Sequence, residues 1–207
     1  LSLAFLLVAT IFYLHAHAPE FSATQQRRAY WLAVAAYALA VLSYPIVLGF
    51  VAALLALDFF PLRRFTQPGN AQRVLVEKLP FFALSLLLVA GTVYGRFHVT
   101  GTWDKPMTLE NFPPFARAMQ AFYLWACYLW KTLLPLDLCP VYPVLMESRF
   151  TEPVFTLSTI GVLAASLFLG VKQRAWPAAA ALWFAHLGLL VPMLGLTERP
   201  HYPHDRY

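Results

Sequence analysis

Long apolar runs separated by short polar linkers organise this chain. The clearest run, residues 29–62, contains no Lys, Arg or His and a single acid, Asp58. One helix of that length would measure about 50 Å, well beyond the ~30 Å hydrocarbon core of a bilayer. Pro45 removes a backbone donor and disfavours helical geometry at Tyr44. The run is therefore predicted to break there into a hairpin of two helices, 29–42 and 45–60.

The same pattern predicts five further helices. They cover residues 1–16, 79–95, 114–134, 153–171 and 176–195. The runs are continuous, unlike the ~10-residue alternating segments of a transmembrane β-barrel. We expect an all-α, polytopic helical membrane protein with about six to seven membrane helices, forming one partial transmembrane domain. Because the sequence begins within an apolar run and has no initiator Met, we also expect an internal fragment of a longer protein.

Composition supports a membrane protein. Hydrophobic residues make up 60% of the chain and charged residues 12%, and the mean hydropathy is +0.60. These values exclude an ordinary soluble domain and a disordered chain. The net charge of +5 arises from basic residues in short linkers beside apolar runs, which favours membrane topology over nucleic-acid binding.

The distribution of charge predicts which linkers face the cytoplasm. Linkers 17–28, 61–78 and 172–175 hold eight Lys/Arg and two acids, whereas loops 96–113, 135–152 and 196–207 hold five Lys/Arg and seven acids. The positive-inside rule assigns the first set to the cytoplasmic side. We favour the bacterial inner membrane, with the endoplasmic reticulum membrane as the alternative. Segment 114–134 would then lie in the interface or re-enter, unless it spans and 136–150 re-enters.

Several motifs resemble the membrane domain of the TMTC-like, tetratricopeptide-repeat-bearing GT-C glycosyltransferases. The motifs are the Leu-Ser-x-Pro break at 42–45, Asp-Phe-Phe-Pro-Leu-Arg-Arg at 58–64, Glu-Lys-Leu-Pro-Phe-Phe at 77–82, Tyr-Leu-Trp-Lys at 128–131 with Tyr142 and Pro143, Trp183-Phe184 with Leu190-Val191-Pro192, and Asp205-Arg206-Tyr207. Each motif is weak alone, and their order and spacing carry the resemblance. Tyr44 stands where the family often has Lys.

The resemblance implies transfer of a sugar from a polyprenyl-phosphate carrier to a protein or glycan acceptor at the extracytoplasmic face. It also implies an acidic residue in the first outer loop, often with a divalent metal. The sequence contains no Asp-x-Asp, Asp-Asp or Glu-x-Asp. We therefore expect the catalytic residues upstream of Leu1, assign no metal to this chain, and expect it to be inactive alone.

Candidate donor-binding residues are cations and tyrosines near the predicted outer side. A guanidinium can bind phosphate oxygens in a bidentate way and an ammonium acts as a point charge, whereas tyrosine can stack on a sugar or donate a hydrogen bond. The candidates are Arg117, Lys131 and Arg206 for phosphate, and Tyr123, Tyr128 and Tyr142 for the sugar. The alternative for each cation is snorkelling to lipid headgroups.

The other polar residues that stand out in the sequence are predicted to have structural roles. His201, His204 and Asp205 form a ligand-type cluster, but flanking prolines predict a loop, so we favour hydrogen bonding over metal binding. His186 lies mid-span and is predicted to be neutral and hydrogen-bonded to another helix. Asp58 is predicted to be interfacial, pairing with Arg63 or capping a helix.

Two other function classes remain open. A transporter or flippase of lipid-linked substrates would show paired broken helices related by an internal repeat and a polar midplane, and the sequence has one break. A non-catalytic membrane anchor would tolerate replacement of the outer-loop cations.

Overall fold

A computed structural model describes residues 1–44, 48–66, 69–95, 98, 113–135 and 152–194. Every regular element in these ranges is helical, so the predicted all-α class is confirmed. The chain divides into two compact units, Leu1–Trp103 and Asp104–Tyr207. Tyr142, His201, His204, Asp205 and Arg206 lie outside the described residues.

Within the described residues, the first unit contains five α-helices. They are α1 (Ser2–Ala16), α2 (Ala23–Ser43), α3 (Phe50–Phe59), α4 (Asn70–Val76) and α5 (Leu79–Gly95), with a 3₁₀ turn at Arg64–Thr66. Helix α2 begins six residues before the predicted position, because Ser22 and Gln25 form a capping box. Helix α3 begins five residues later than predicted, after residues 45–47, which lie outside the described ranges.

Helices α4 and α5 run on as one apolar stretch, Asn70–Gly95. The junction is Glu77-Lys78, where the helical turn is kept by backbone bonds from Lys78 N–H to the carbonyl of Leu75 and from Phe82 N–H to the carbonyl of Lys78. Pro80 follows within the first turn of α5, where a missing backbone donor is tolerated. The two consecutive charged side chains of the junction, Glu77 and Lys78, contact Arg64 and Asp58 respectively.

The core of the first unit combines small residues with aromatic rings. Buried alanines of α1 and α2 allow these two helices to pack closely along their lengths. In the same core cluster, the rings of Tyr37, Phe50 and Phe81 contact one another, with centroids 5.2–6.4 Å apart. The Tyr37 hydroxyl lies 2.6 Å from Ser85 Oγ, which joins α2 to α5 by a buried hydrogen bond.

The second unit contains α6 (Pro114–Leu133), α7 (Pro153–Lys172) and α8 (Pro177–Leu190), followed by a 3₁₀ turn at Val191–Met193. The observed bounds of α6 and α7 differ from the predicted ones by one residue. Residues 173–176 form a tight connection in which the backbone N–H groups of Ala175 and Trp176 donate to the carbonyl of Lys172. Helix α6 packs mainly on α7.

Two helices of the described ranges are long and apolar enough to cross a membrane, by length and composition: Asn70–Gly95 and Pro153–Lys172. Three others, Ser2–Ala16, Phe50–Phe59 and Pro177–Met193, are apolar but shorter. This is fewer than the six to seven membrane helices predicted. The remaining helices α2 and α6 have 21 and 20 residues, but each contains Arg and Gln, which lower its hydropathy.

Candidate functional site

The most polar feature of the first unit's interior is a charged cluster around Asp58. This residue lies in the last turn of α3, and its side chain is fully buried. Its carboxylate accepts hydrogen bonds from the Tyr13 hydroxyl at 2.8 and 2.9 Å, from Arg64 Nη1 at 3.1 Å and from Lys78 Nζ at 2.5 Å. Asp58 therefore pairs with Arg64 and Lys78, and the predicted pairing with Arg63 is wrong, whereas its interfacial position stays a prediction.

Arg64 rather than Arg63 reaches Asp58 because of the backbone after α3. Arg63 has φ of 49°, in the left-handed region that a residue with a side chain rarely adopts. This conformation reverses the chain so that Arg64 returns toward the end of α3. The guanidinium of Arg63 lies instead over the Phe60 ring, 5.8 Å from its centroid.

Tyr13 connects the two cations of the cluster. Its hydroxyl donates to Asp58 and accepts from Lys78 Nζ at 2.5 Å and from Arg64 Nη1 at 3.4 Å. The Lys78 ammonium also lies 4.7 Å from the centroid of the Tyr13 ring. Since Tyr13 and Lys78 are both buried, the hydroxyl and the carboxylate together satisfy an ammonium that could not otherwise be held away from water.

Glu77 forms the more accessible half of the cluster. Its Oε2 lies 2.6 Å from Arg64 Nη2 and 3.4 Å from His17 Nε2, and its Oε1 lies 3.3 Å from Arg73 Nε. His17 Nδ1 lies 2.8 Å from the carbonyl of Tyr13. Both ring nitrogens of His17 therefore face acceptors. The Tyr30 hydroxyl donates to the Glu77 carbonyl at 2.7 Å.

The cluster is electrically balanced at its centre. Asp58 and Glu77 oppose Arg64 and Lys78, so the four formal charges cancel. Burial of Arg64 opposes its charge, but the hydrogen bond and charge of Glu77, together with the charge of Asp58, outweigh this and raise its pKa. Both carboxylates are engaged with cations. These contacts hold α1, α3, α4 and α5 together. Because both carboxylates are paired with cations, we do not propose either of them as a catalytic base.

The sequence pattern did not predict this cluster. Tyr13 and His17 were not among the predicted site residues, and Arg64, Glu77 and Lys78 were predicted to be linker residues. The available signal was the lone acid in an apolar run of more than thirty residues, because a buried carboxylate requires a buried partner. A second signal was that two of the motifs supporting the family resemblance, 58–64 and 77–82, both carry charges beside apolar helices. The fold brings these two motifs together.

Four of the predicted donor-binding residues lie on α6, namely Arg117, Lys131, Tyr123 and Tyr128. Arg117 and Lys131 are fourteen residues apart, which corresponds to about 21 Å along a helix, so one phosphate group cannot bind both. Tyr123 packs against Phe155 with ring centroids 5.1 Å apart, and Tyr128 packs against a buried cluster that includes Leu124 and Leu194.

A second set of buried polar contacts joins α6 to α8 and to the turn after it. Gln120 is fully buried, and its Nε2 donates to the Leu194 carbonyl at 2.7 Å. Trp125 Nε1 donates to the Leu187 carbonyl at 3.0 Å, and His186 Nε2 donates to the Trp125 carbonyl at 3.1 Å. The prediction that His186 bonds to another helix is confirmed.

Within the described ranges, no group of three or more His, Cys, Asp or Glu side chains is placed to hold a metal ion. Comparison with known proteins identifies no relative, since no family model, no curated protein and no solved structure matches this chain.

Proposed function

We propose that this chain is part of an integral-membrane protein, with the polytopic arrangement predicted from its sequence. The supporting observation is that its two longest apolar helices are largely unburied: only 22% of the apolar window in Asn70–Gly95 and 11% of that in Pro153–Lys172 are buried. The core helix of a soluble protein would be mostly buried. In α7 the large hydrophobic residues that are more than half exposed are Leu157, Ile160, Leu163, Leu167 and Val171. Their spacing places them on one face, which suits contact with lipid.

We further propose that the chain belongs to the membrane domain of a GT-C-type glycosyltransferase that uses a polyprenyl-phosphate-linked sugar. The observation that carries this proposal is the convergence of motifs 58–64 and 77–82 in one buried ion cluster. The resemblance rests on the residues of these motifs in the sequence and does not use their positions in the structure. A shared structural role for them is what a common membrane scaffold would require.

The proposed reaction is an inverting displacement at the anomeric carbon of the sugar. The oxygen of the acceptor hydroxyl forms the new bond while the bond from the anomeric carbon to the carrier phosphate breaks, and the phosphate leaves with the electron pair. The hydroxyl proton passes to the outer-loop carboxylate that the resemblance implies. Arg117, Lys131 and Arg206 are the cations proposed to stabilise that leaving group. Because Arg117 and Lys131 lie about 21 Å apart along α6, we assign at most one of them to the phosphate itself. Tyr123, Tyr128 and Tyr142 are proposed to contact the sugar.

Alanine substitution tests the assignment. Arg117→Ala, Lys131→Ala and Arg206→Ala would be made singly in the full-length protein, and transfer from polyprenyl-phosphate mannose and polyprenyl-phosphate glucose would be measured. We expect kcat/KM to fall about tenfold or more in the variant that loses the phosphate contact, since a hydrogen bond to a charged group contributes about 1.5–3 kcal/mol. Arg174→Ala, which removes an exposed cation in the turn between α7 and α8, is the matched control.

The outcomes separate the rival functions. Wild-type transfer in all three variants would contradict the site assignment. Absence of transfer by the wild-type protein, with movement of the same lipid-linked sugar between leaflets of a proteoliposome, would favour a flippase. Absence of both activities would favour a membrane anchor.

A further inference from the structure

A basic cavity opens beside the charged cluster, where α1 ends and α2 begins. Its volume is about 500 Å³. The charged and titratable side chains in its wall are His17, Arg27, Tyr30, Arg64, Arg73 and Glu77. Three guanidinium groups thus face one carboxylate, which gives a formal charge of +2 with His17 neutral. Asp58 does not change this balance, because Lys78 opposes its charge.

The three arginines differ in how fully they are used by the protein. Arg64 contacts both Asp58 and Glu77, and Arg73 contacts Glu77 through Nε with its side chain 78% exposed. Arg27 is exposed and contacts no carboxylate among the residues that the structure describes. Arg27 and the Nη groups of Arg73 are therefore open to an anion from outside the protein.

An apolar groove adjoins this cavity along α2. Its volume is about 540 Å³, and its wall is formed by Thr24, Arg27, Arg28, Trp31 and Leu32. Trp31 and Leu32 are 54% and 49% exposed. Arg27 belongs to both walls, and Trp31 lies about 6 Å further along the helix axis. The basic cavity therefore lies one helical turn from an exposed tryptophan and leucine. This order of charged and then apolar surface matches that of a lipid, which has a charged headgroup followed by an apolar acyl chain.

We propose that this pair of cavities binds an anionic phospholipid, with its phosphate between Arg27 and Arg73 and an acyl chain along Trp31 and Leu32. The proposal rests on the membrane location argued above and not on glycosyl transfer. Linkers 17–28 and 61–78, which supply the basic side chains, are both predicted to be cytoplasmic, where anionic lipids attract juxtamembrane arginines. A zwitterionic headgroup brings a cation that the guanidiniums repel, so the site should select phosphatidylglycerol over phosphatidylcholine.

Native mass spectrometry of the full-length protein in detergent tests the selectivity. Retained phosphatidylglycerol would be compared with retained phosphatidylcholine during titration of each lipid. We expect the preference to fall about fivefold in Arg27→Gln and about twenty-fivefold in the double variant Arg27→Gln/Arg73→Gln, at roughly 1 kcal/mol for each arginine near an anionic surface. Both side chains are exposed, so the variants should fold, and gel filtration would check this.

The matched control is Lys172→Gln/Arg174→Gln, which removes two exposed basic residues from the other linker predicted to be cytoplasmic. An equal loss in the control, or no loss in the cavity variants, would overturn the proposal. Displacement of the lipid by equimolar inorganic phosphate or glycerol 3-phosphate would also overturn it, in favour of a site for soluble phosphates.

A second measurement tests the acyl chain. Quenching of tryptophan fluorescence by brominated phosphatidylglycerol should be weaker in Trp31→Phe than in the wild type, and equal quenching would overturn this placement. Recovery in the membrane fraction is measured first. Failure there would overturn the membrane location and the lipid site together, whereas loss of lipid selectivity alone would leave the proposed function standing.

Discussion

At the residue scale, the Asp58–Lys78 pair is the interaction whose loss should cost the most. Asp58 is fully buried and the Lys78 side chain is 4% exposed. A buried charge that loses its partner keeps its full desolvation penalty, whereas removal of both charges leaves a smaller defect. The pair therefore stabilises the native arrangement chiefly because each charge satisfies the other.

We expect Lys78→Met to lower the free energy of unfolding by about 3–5 kcal/mol, because Asp58 would be left buried with fewer donors. The double variant Asp58→Leu/Lys78→Met should recover part of this loss. Unfolding by SDS in bicelles would measure both. Lys172→Met, which removes an exposed lysine at the end of α7, should change stability by less than about 1 kcal/mol. A double variant as unstable as the sum of the single variants would contradict the coupling.

The position of Asp58 also shows what the sequence could not supply. Its isolation in an apolar run marked it as unusual, but periodicity does not reveal whether a helix end lies at an interface or inside a core. The choice of Arg64 over Arg63 depends on a left-handed residue between the helices, which local composition does not predict. Tyr13 and Lys78 are separated from Asp58 by 45 and 20 positions in the chain, so only the tertiary fold could bring them to it.

At the element scale, the contact between α1 and α2 depends on small side chains. Ala33, Ala36 and Ala40 are buried on one face of α2, in the same cluster as Ala9 and Tyr13 of α1. Small residues at these positions let two helices approach closely. The sequence predicted both helices correctly because their apolar runs are long, but it missed the first turn of α2, where the Ser22–Gln25 cap extends a helix through polar residues.

Enlarging this contact should destabilise the first unit. We expect Ala33→Leu to lower the free energy of unfolding by about 1–3 kcal/mol, because added methyl groups must displace well-packed neighbours. Ala35→Leu is the matched control, since it makes the same change on an exposed face of the same helix. SDS unfolding of the two variants would measure the difference. Equal effects would show that α1 and α2 do not pack through Ala33.

At the scale of the whole molecule, each unit buries a few polar side chains while many of its large apolar side chains remain exposed. The first unit buries Asp58 and Lys78 while Leu86 and Leu87 on α5 remain 58% and 69% exposed. The second buries Gln120 while Leu167 and Val171 on α7 remain 71% and 72% exposed. Water would penalise such a surface, since exposed apolar patches on soluble proteins are small. Contact with lipid hydrocarbon would explain the exposed apolar side chains of each unit.

If the two candidate spans cross a membrane, cysteines placed at their two ends should be labelled from opposite sides. In a background with Cys127 and Cys139 replaced by Ser, Gln72→Cys and Tyr94→Cys lie near the two ends of the Asn70–Gly95 span, and Glu152→Cys and Gln173→Cys flank α7. A span of 20 residues measures about 30 Å, the thickness of the hydrocarbon core. Each pair should therefore react with a membrane-impermeant maleimide from opposite sides, with Gln72→Cys and Gln173→Cys reacting from the cytoplasmic side because their linkers are basic.

Oriented vesicles of both polarities would distinguish the alternatives. If both cysteines of a pair reacted from one side, that helix would lie on the membrane surface rather than cross it. If all four reacted from both sides of sealed vesicles, neither helix would be inserted. Reaction of Gln72→Cys and Gln173→Cys from the external side would keep the spans but reverse the orientation. The lipid cavity beside α2 would then face the outer leaflet, and the phosphatidylglycerol that it binds would have to come from that leaflet.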